Sequence, residues 1–578
     1  MKESLKRRVE GMVQRMREEG ILPNEPLPHY RIDRPKDRSH GDFSTNAAMV
    51  LARVARSKPR ELAQRMLDFL PDDQEDIERW EIAGPGFVNF FVSPRRLCQR
   101  VDEILAAGPG YGHSTMGKGT RIMVEFVSAN PTGPMHVGHG RGAITGDVLC
   151  RLLTATGHEV HREYYINDAG RQIEVLGRSV RHRCRERMEG TECSAPDEFY
   201  PGEYVLDILS SLPDPLKIAL EQSITRQTEA ESEEAIIRET TRFAVGWVLE
   251  DIRKDLERLG IRFDHWFSER GLHEQGGIDH AISVLKARDL IHEGQLERPK
   301  GGGERHQDPW ETRSQPLFRA TAFGDDVDRP LQKPDGSYTY FAADIAYHLN
   351  KFERGFDRLV NVWGADHGGY VKRVQAALEG LTGKKEMLHV VLVQMVNLTR
   401  NGQPVRMSKR AGNFVTLRDV VDQVGADAVR FWFLTRASDS QLDFDLERAV
   451  ARSNDNPVYY VQYAHARICS VERQLQEKGM DRGLLDAGSL NQESELDLIR
   501  FLDRYPETVE AAATHLEPHR IAFYLQELAA MFHTYYNSTR ILDDDPGVRG
   551  GRLALCQAVR QVLANGLQLM GVNAPERM

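Results

Sequence analysis

Apolar and polar positions follow different periods along the chain, and the period changes near residues 110 and 453. The first block starts with a charged stretch of helical pattern at residues 1–20. It ends with apolar positions that alternate over residues 80–91, around a Gly-Pro-Gly turn. A period of about 3.6 residues predicts helix, and alternation predicts strand. We therefore predict a small α+β domain over residues 1–110, which ends in a glycine-rich linker at 108–112.

The central block opens with a short β-branched run at residues 121–127, followed by helical spacing at 140–153 and a second strand pattern at 164–170. Strand, helix and strand in this order begin a parallel, nucleotide-binding sheet with ligands at the carboxyl ends of its strands. Charged helical patterns, such as residues 229–259, then interrupt the sheet. We predict that the sheet resumes in three runs, at residues 336–344, 358–367 and 388–396.

The last block is helical in period throughout. Its first helix carries an apolar stripe at a spacing of three and four residues, formed by Val461, Ala464, Ile468, Val471 and Leu475. We predict a multidomain α/β protein with a Rossmann-like parallel-sheet core, an α+β N-terminal domain and an all-α C-terminal helical bundle. The two halves of the core are residues 111–180 and 331–452, the helical insertion with its loops is 181–330, and the bundle is 453–578.

Composition narrows the class of protein. The 578 residues are 40% hydrophobic and 28% charged, as in an ordinary globular protein of about three or four domains. No apolar run is long enough to span a bilayer and residues 1–20 are charged, so we expect a cytoplasmic protein with no membrane partner. The net charge of −10 argues against indiscriminate nucleic-acid binding but leaves room for a local basic groove.

The cysteines favour free thiols in a reducing compartment. The chain has six of them, scattered without a Cys-X-X-Cys pair. His182, Cys184 and Cys193 match no structural zinc spacing, so we predict no metal site there.

His136 and His139 lie where the first central strand gives way to a helix. Unpaired backbone N–H groups and the helix dipole attract phosphate at such a position, and two imidazoles can stabilise charge that develops on a phosphoryl group. Gly138 between them leaves room for a flat base to approach. Taken alone, these residues leave two alternatives open, a phosphate site or a pair of histidines that merely cap the helix.

A basic stretch between glycines, residues 402–413, follows the last predicted strand. It can close over a polyphosphate and retract, or it is a solvated basic turn. Asp344 and Asp366 each follow an apolar run, where they are either helix caps or ligands.

Taken together, the His pair and the basic stretch resemble a known family. The pairing of His136-Val-Gly-His139 with the distant Arg406-Met-Ser-Lys409, on an interrupted parallel sheet, resembles the class I aminoacyl-tRNA synthetases. Their marker motifs are His-Ile-Gly-His and Lys-Met-Ser-Lys-Ser. Arg406 and Arg410 depart from the first lysine and the last serine of the second motif. Lys409 is present, so we expect activity to survive, although Arg and Lys differ in geometry.

The resemblance is to the arginyl-tRNA synthetase family and extends over essentially the full length. Residues 128–134, 339–344 and 456–465 are typical of that family, and residues 40–43 resemble its extra N-terminal domain. It implies that L-arginine is activated with ATP to arginyl-adenylate and then transferred to the 3′ end of tRNA(Arg), giving AMP and pyrophosphate. It also implies Mg²⁺ with ATP as a substrate complex, no tightly bound cofactor, a monomer, and a C-terminal bundle that binds the anticodon.

The family pattern carries roles onto particular residues of this chain. The catalytic residues would be His136, His139 and Lys409. The ATP site would add Gly138, Asp366, His367, Met407 and Ser408. The arginine pocket would be lined by Glu125, Asn130, Tyr340 and Asp344. The first motif region would comprise Ala129, Asn130, Pro131, Thr132, Gly133, Pro134, Met135, His136, Val137, Gly138 and His139.

Two other functions fit part of the pattern. A small-molecule nucleotidyltransferase also uses a His-X-Gly-His turn, but predicts a much shorter chain without a helical bundle. A catalytically silent RNA-binding relative would be expected to lack one of the two histidines or Lys409, and all three residues are present.

Overall fold

A computed structural model describes residues 1–70, 76–225, 230–295, 314–405 and 415–578. The N-terminal part has a four-stranded antiparallel sheet in the order β1-β2-β4-β3, covered by helices. As predicted, residues 80–91 fall in a hairpin, in which Ala83 pairs with Phe87. The elements are α1 Lys2–Glu18, β1 Ile32–Asp33, β2 Phe43–Thr45, α2 Ala47–Leu51, α3 Pro59–Asp68, β3 Ile77–Ala83, β4 Phe87–Val92 and α4 Pro94–Ala107.

The central part alternates strands and helices. Its strands are β5 Arg121–Glu125, β6 Glu159–Ile166, β7 His265–Ser268, β8 Ile291–Gly294, β9 Gln315–Phe318, β10 Arg329–Pro330, β11 Arg358–Gly364, β12 Leu388–Val393, β13 Val396–Arg400, β14 Gln403–Pro404 and β15 Leu442–Asp445. Its helices are α5 Val137–Ala155, α6 Arg171–Glu189, α7 Tyr204–Ser211, α8 Asp214–Thr225, α9 Ala230–Arg258, α10 Glu269–Glu274, α11 Gly277–Ala287, α12 Tyr340–Glu353, α13 Val371–Thr382, α14 Leu417–Val424, α15 Ala426–Trp432 and α16 Leu446–Val450.

Five of these strands form the parallel sheet at the centre of the molecule. Their order is β12-β11-β5-β6-β7, and every neighbouring pair is parallel. In chain order this is the doubly wound arrangement, in which the strand order reverses between β5 and β11. The predicted Rossmann-like core is therefore confirmed. The crevice at the reversal is where such sheets bind ligands.

Two predictions about the central part are wrong. Residues 336–344 do not form a strand, because the Thr339 hydroxyl accepts the Ala342 N–H at 3.3 Å and starts helix α12 instead. The span 181–330 is also not purely an insertion, because β7 lies within it and forms the edge of the parallel sheet beside β6. Strand β7 has only four residues and begins at His265, soon after long charged helices, so the sequence pattern did not reveal it.

The C-terminal part is a helical bundle of α17 Pro457–Glu477, α18 Glu493–Leu502, α19 Tyr505–Thr514, α20 His519–Ser538 and α21 Pro546–Leu569. The predicted stripe on α17 is buried along its length, from Val461 to Leu475. Among the described helices, none is both long enough and apolar enough to cross a membrane.

The predicted linker at residues 108–112 is pinned to the bundle. The Asn565 amide donates to the carbonyl oxygens of Gly108 and Tyr111, at 2.9 and 3.1 Å. The Tyr111 hydroxyl donates to the Leu502 carbonyl at 3.0 Å. The N-terminal domain and the bundle are thus joined without a free spacer.

Ion pairs also join the N-terminal domain to the bundle. Arg34 reaches Asp503 at 2.6 Å and Glu507 at 2.8 Å, and Arg500 reaches Asp42 at 2.8 Å. Asp503 is nearly inaccessible to solvent and is also 2.7 Å from Arg100. Charges buried in this way depend on their partners, because an unpaired buried charge is costly.

Candidate active site at the carboxyl edge of the parallel sheet

The carboxyl ends of the parallel strands bring polar residues to one edge. Glu125 ends β5, Asp168 follows β6, Glu269 follows β7, and Asp366 with His367 follows β11. Helix α5 starts beside the reversal between β5 and β11, so its N-terminal N–H groups face the same crevice. The fold therefore gathers an anion-binding helix start and several carboxylates at one place.

The two histidines form the start of α5. His136 is the N-cap, and its Nδ1 accepts the Gly138 N–H at 3.1 Å. His139 Nδ1 accepts the His136 N–H at 3.3 Å, and the two rings stack with centroids 3.6 Å apart. A Cβ at Gly138 would lie 3.0 Å from the His136 ring, so glycine keeps that ring in place. The capping alternative is confirmed; because the same side chains lie at the end of α5 that attracts phosphate, the phosphate site stays a prediction.

The turn between β5 and α5 is strained. Val127 and Ser128 have φ values of 70° and 41°, a region that β-branched residues rarely adopt. Hydrogen bonds hold the turn. The Ser128 hydroxyl donates to Glu125 Oε1 at 3.2 Å and accepts the Tyr165 N–H at 3.2 Å. The turn is thereby fixed to both central strands.

The segment after residues 406–414 returns to the His pair. Thr416 forms an antiparallel bridge with His136, and the Leu417 N–H donates to the Met135 carbonyl at 2.8 Å. The predicted basic loop itself, with Arg406, Met407, Ser408, Lys409 and Arg410, lies outside the described residues. Its downstream anchor nevertheless lies directly against the first motif.

Three carboxylates lie together beyond the end of the central strands. Glu125 and Glu269 are only 6% and 5% exposed, and Asp344 is partly buried on the first turns of α12. Burial raises the pKa of Asp344 to about 7; the Tyr370 hydroxyl, which donates to it, lowers this pKa, while the charges of Glu125 and Glu269 raise it. Burial also raises the pKa of Glu269, against a hydrogen bond from Tyr165. Acids that repel one another in this way favour a cationic ligand.

Two other residues predicted to bind arginine are more exposed. Tyr340 is 64% exposed, and its hydroxyl points towards Gly170, in the turn after β6. Asn130 is exposed and donates to Gln172 Oε1 at 2.8 Å. Both side chains are therefore accessible to solvent, and their contacts are with residues 170 and 172, at the start of α6.

Asp366 and His367 lie at the end of β11, in a short 3₁₀ helix at Ala365–Tyr370. Their side chains are 80% and 62% exposed, and Asp366 Oδ2 is 3.7 Å from His367 Nε2. Neither residue caps an α-helix, because α13 begins only at Val371. They extend into solvent from the side of the crevice opposite β6.

A buried network supports the cluster from below. Lys351, on α12, is fully buried and donates to Glu125 Oε2 at 2.6 Å and to Asn361 Oδ1 at 3.1 Å. On the next strand, Glu163 accepts the Tyr347 hydroxyl at 2.8 Å and pairs with Arg354 at 2.6 Å. The sequence interpretation named Glu125 but missed the other members of this network, as well as Glu269 and Tyr370.

His161, Glu163 and His265 bring ligand atoms of the kind that bind metals within 4.8 Å of one another. Arg354 already supplies a cation there, with Nη1 2.6 Å from Glu163 and Nη2 3.1 Å from His161 Nε2. Burial raises the pKa of Glu163, but the neighbouring His161, the hydrogen bond with His265 and the charges of Lys351 and Arg354 outweigh it and lower the pKa to about 2. The geometry describes a satisfied ion network, and a metal ion would have to displace the guanidinium.

Comparison with known proteins agrees with this architecture. Residues 1–92 match the model of the arginyl tRNA synthetase N-terminal domain, residues 100–202 that of the class I (R) tRNA synthetase catalytic domain, residues 346–447 that of class I (I, L, M and V) tRNA synthetases, and residues 461–578 that of the DALR anticodon binding domain. The solved arginyl-tRNA synthetase of Thermus thermophilus has a similar fold, with a TM-score of 0.74 over 100% of both chains at 23% identity.

Curated relatives are similar over the whole chain. The arginine–tRNA ligase of Magnetococcus marinus is 56% identical, and that of Syntrophotalea carbinolica is 47% identical. In each comparison 100% of both chains is covered. The chain belongs to the class I arginyl-tRNA synthetase family, the arginine–tRNA ligases, which use ATP as a substrate.

Proposed function

We propose that this arginine–tRNA ligase activates L-arginine in the crevice between the His pair and the acidic cluster. The observation that carries the proposal is the group of acids formed by Glu125, Glu269 and Asp344, next to a helix start that attracts phosphate. A guanidinium is planar and always charged, and carboxylates match its fork of donors. The start of α5 thus suits the anionic nucleotide, and the neighbouring acidic cluster suits the cationic amino acid.

Arginine binds with its side chain towards the acids. Asp344 receives the guanidinium, with Glu125 behind it and Tyr340 and Asn130 on the open side. The buried Glu269 adds negative charge to the same wall. This placement leaves the α-carboxylate of arginine free to point towards the His pair.

ATP binds across the start of α5, with Mg²⁺ entering as part of the substrate. His136 and His139 donate to the α-phosphate as negative charge develops, and Gly138 keeps the approach open. Asp366 and His367 lie on the nucleotide side. By family resemblance Met407, Ser408 and Lys409 close over the β- and γ-phosphates, and the bridge between His136 and Thr416 supports this arrangement.

The reaction needs no covalent enzyme intermediate. A carboxylate oxygen of arginine attacks the α-phosphorus of ATP, and the bond to the bridging oxygen of the β-phosphate breaks. Pyrophosphate leaves, which Lys409 assists by holding its charge. A hydroxyl of the terminal ribose of tRNA then attacks the arginyl carbonyl and releases AMP.

The two ends of the molecule serve tRNA(Arg). Residues 1–110 contact the elbow and residues 453–578 read the anticodon, while residues 111–180 and 331–452 form the catalytic core around the span 181–330. Pairing of Arg34 with Asp503 supports a fixed distance between the two tRNA-binding parts. We take the working state to be a cytoplasmic monomer.

The test is isotope exchange between pyrophosphate and ATP across the standard amino acids, with and without tRNA(Arg). Among the amino acids, we expect only arginine to support exchange, and only when the tRNA is present. Lysine is the matched competitor, because it carries the same charge without the planar fork. Exchange driven by lysine or by a neutral amino acid would contradict the assignment of the acidic pocket.

A further inference from the structure

A row of polar residues runs across the floor of the parallel sheet. Asn361, Glu125, Glu163 and His265 are direct neighbours in register on β11, β5, β6 and β7. Interior positions of a parallel sheet are normally apolar. A continuous polar row across four strands of the sheet therefore requires a reason beyond packing.

Helix α12, with Arg354 directly after its last residue, supplies a partner for nearly every member of that row. Lys351 binds Glu125 and Asn361, Tyr347 and Arg354 bind Glu163, and His348 Nε2 accepts the Asn361 amide at 3.0 Å. Burial, with the nearby Lys351 charge, lowers the pKa of His348 to about 3, so the ring is neutral and its Nδ1–H donates to the Asp344 carbonyl. These contacts fix both the rotation and the axial position of α12 on the sheet.

Lys351 is the central cation of this contact. It lies seven residues after Asp344 on the same helix, about 10 Å along the axis, so both face the sheet. It is fully buried and therefore does not touch a bound substrate. Replacing a buried ion pair by apolar residues is often neutral or stabilising, so stability alone is a weak explanation for it.

The charges around Asp344 show what Lys351 balances. The groups that face Asp344 are Glu125 from β5, Tyr165 from β6, Glu269 from α10, Lys351 from α12, and Tyr370, which is backed by Arg373 and Arg329. Glu125 and Glu269 oppose ionisation of Asp344, whereas Lys351 favours it. Lys351 also occupies Oε2 of Glu125, which leaves Asp344 as the carboxylate that faces the pocket.

We propose that Lys351 is a positioning residue of the arginine site, which holds Glu125 and the rotation of α12 so that Asp344 faces the guanidinium as a carboxylate. The inference rests on the proposed arginine pocket. It assigns the discrimination for arginine partly to a side chain that never contacts arginine. A purely structural role would instead affect arginine and ATP alike.

The experiment measures tRNA charging by Lys351→Met between pH 6 and 9. We expect the arginine KM to rise about tenfold at pH 7 and to recover partly towards pH 9, because an acid that has lost its cation ionises at higher pH. At each pH, the KM for ATP and the kcat should stay within about twofold of the wild-type values. Lys286→Met, at an exposed lysine on α11, is the matched control and should behave as wild type.

Two further variants guard against misfolding. Lys351→Gln keeps a donor for Glu125 but removes the charge, so it carries the test if Lys351→Met fails to fold. Lys351→Arg keeps the charge, so the rise of the arginine KM at low pH should occur at the same pH as in wild type. If Lys351→Gln left the arginine KM and its pH dependence unchanged, the inference would be overturned. It would also be overturned if the KM for ATP rose as much as the KM for arginine. Wild-type enzyme that fails to charge arginine would instead overturn the proposed function.

Discussion

At the scale of single residues, Asp344 is the group whose protonation would govern the proposed arginine pocket. In the free protein its pKa is about 7, raised mainly by burial and by Glu125 and Glu269. A protonated carboxyl presents neither the charge nor the pair of acceptor oxygens that a guanidinium needs. Arginine binding must therefore release a proton whenever the pH lies below that pKa.

We expect the KM for arginine to fall about tenfold for each unit of pH rise below pH 7 and to level off above it. Asp344→Asn should raise the arginine KM at pH 8 by about 10- to 100-fold, because a charge-assisted contact is lost, and should remove this pH dependence. Initial rates of tRNA charging between pH 5.5 and 8.5 measure both effects. Glu353→Gln, at an exposed acid on the same helix, is the control. A slope that persists in Asp344→Asn would assign the titration to another group.

Residues with a local signal were accessible from the sequence, and residues defined by pairing were not. His136, His139 and Asp344 stand in motifs or after apolar runs, which is why they could be proposed. Lys351 and Glu163 acquire meaning only from register, since Glu163 lies beside Glu125 across two strands. A charge inside an apolar run does not tell which other charge will face it.

At the scale of elements, the errors come from short or ambiguous patterns. Residues 336–344 alternate like a strand, yet the Thr339 cap and the run after Phe341 decide for helix. Strand β7 has only four residues, too few to show alternation, and was missed. Long, regular elements such as α5, α9 and α17 were predicted to within a few residues, because periodicity accumulates over many turns.

The packing of α5 on β5 gives a prediction at this scale. A Cβ at Gly146 would lie 2.2 Å from the ring of Phe126, which is fully buried next to β5. Gly146→Ala should therefore lower the unfolding free energy by about 1–3 kcal/mol, through overpacking. Gly142, on the same helix, has open space around it, so Gly142→Ala should be neutral or stabilise by up to about 1 kcal/mol. Thermal unfolding of both variants decides; equal melting temperatures would contradict the close approach of α5 to Phe126.

At the scale of the whole molecule, the N-terminal domain and the bundle meet through paired charges. The buried Asp503 lies at the centre of this interface between the half-buried Arg34 and Arg100, with Glu507 and the Asp42–Arg500 pair around them. The catalytic core joins the same assembly through Arg430. Its guanidinium donates to the carbonyl oxygens of Met570 and Leu259, at 2.8 and 2.7 Å, and pairs with Asp147 on α5. These contacts hold the N-terminal domain and the bundle, which we propose to contact tRNA, in one arrangement before tRNA binds.

Arg34→Met should raise the KM for tRNA(Arg) about tenfold, because Asp503 loses one of its cations and the docking of the N-terminal domain loosens. At saturating tRNA the kcat should stay close to wild type, since the crevice is unaffected. Charging rates over a range of tRNA concentrations measure both quantities. Arg262→Met, at an exposed arginine outside both proposed tRNA-binding parts, is the control. A loss of kcat with an unchanged KM for tRNA would show that the interface serves the chemistry instead.

The strained turn at Val127 and Ser128 implies a conflict between durability and catalytic performance. Each left-handed residue costs about 1–2 kcal/mol, which a glycine would largely remove. In a chain selected only for thermal stability, glycine would soon replace these two residues. Glycine would also free the segment that links the acid-bearing end of β5 to the histidines of α5. A form of this protein with glycine at these two positions is therefore expected to be more thermostable and a slower ligase.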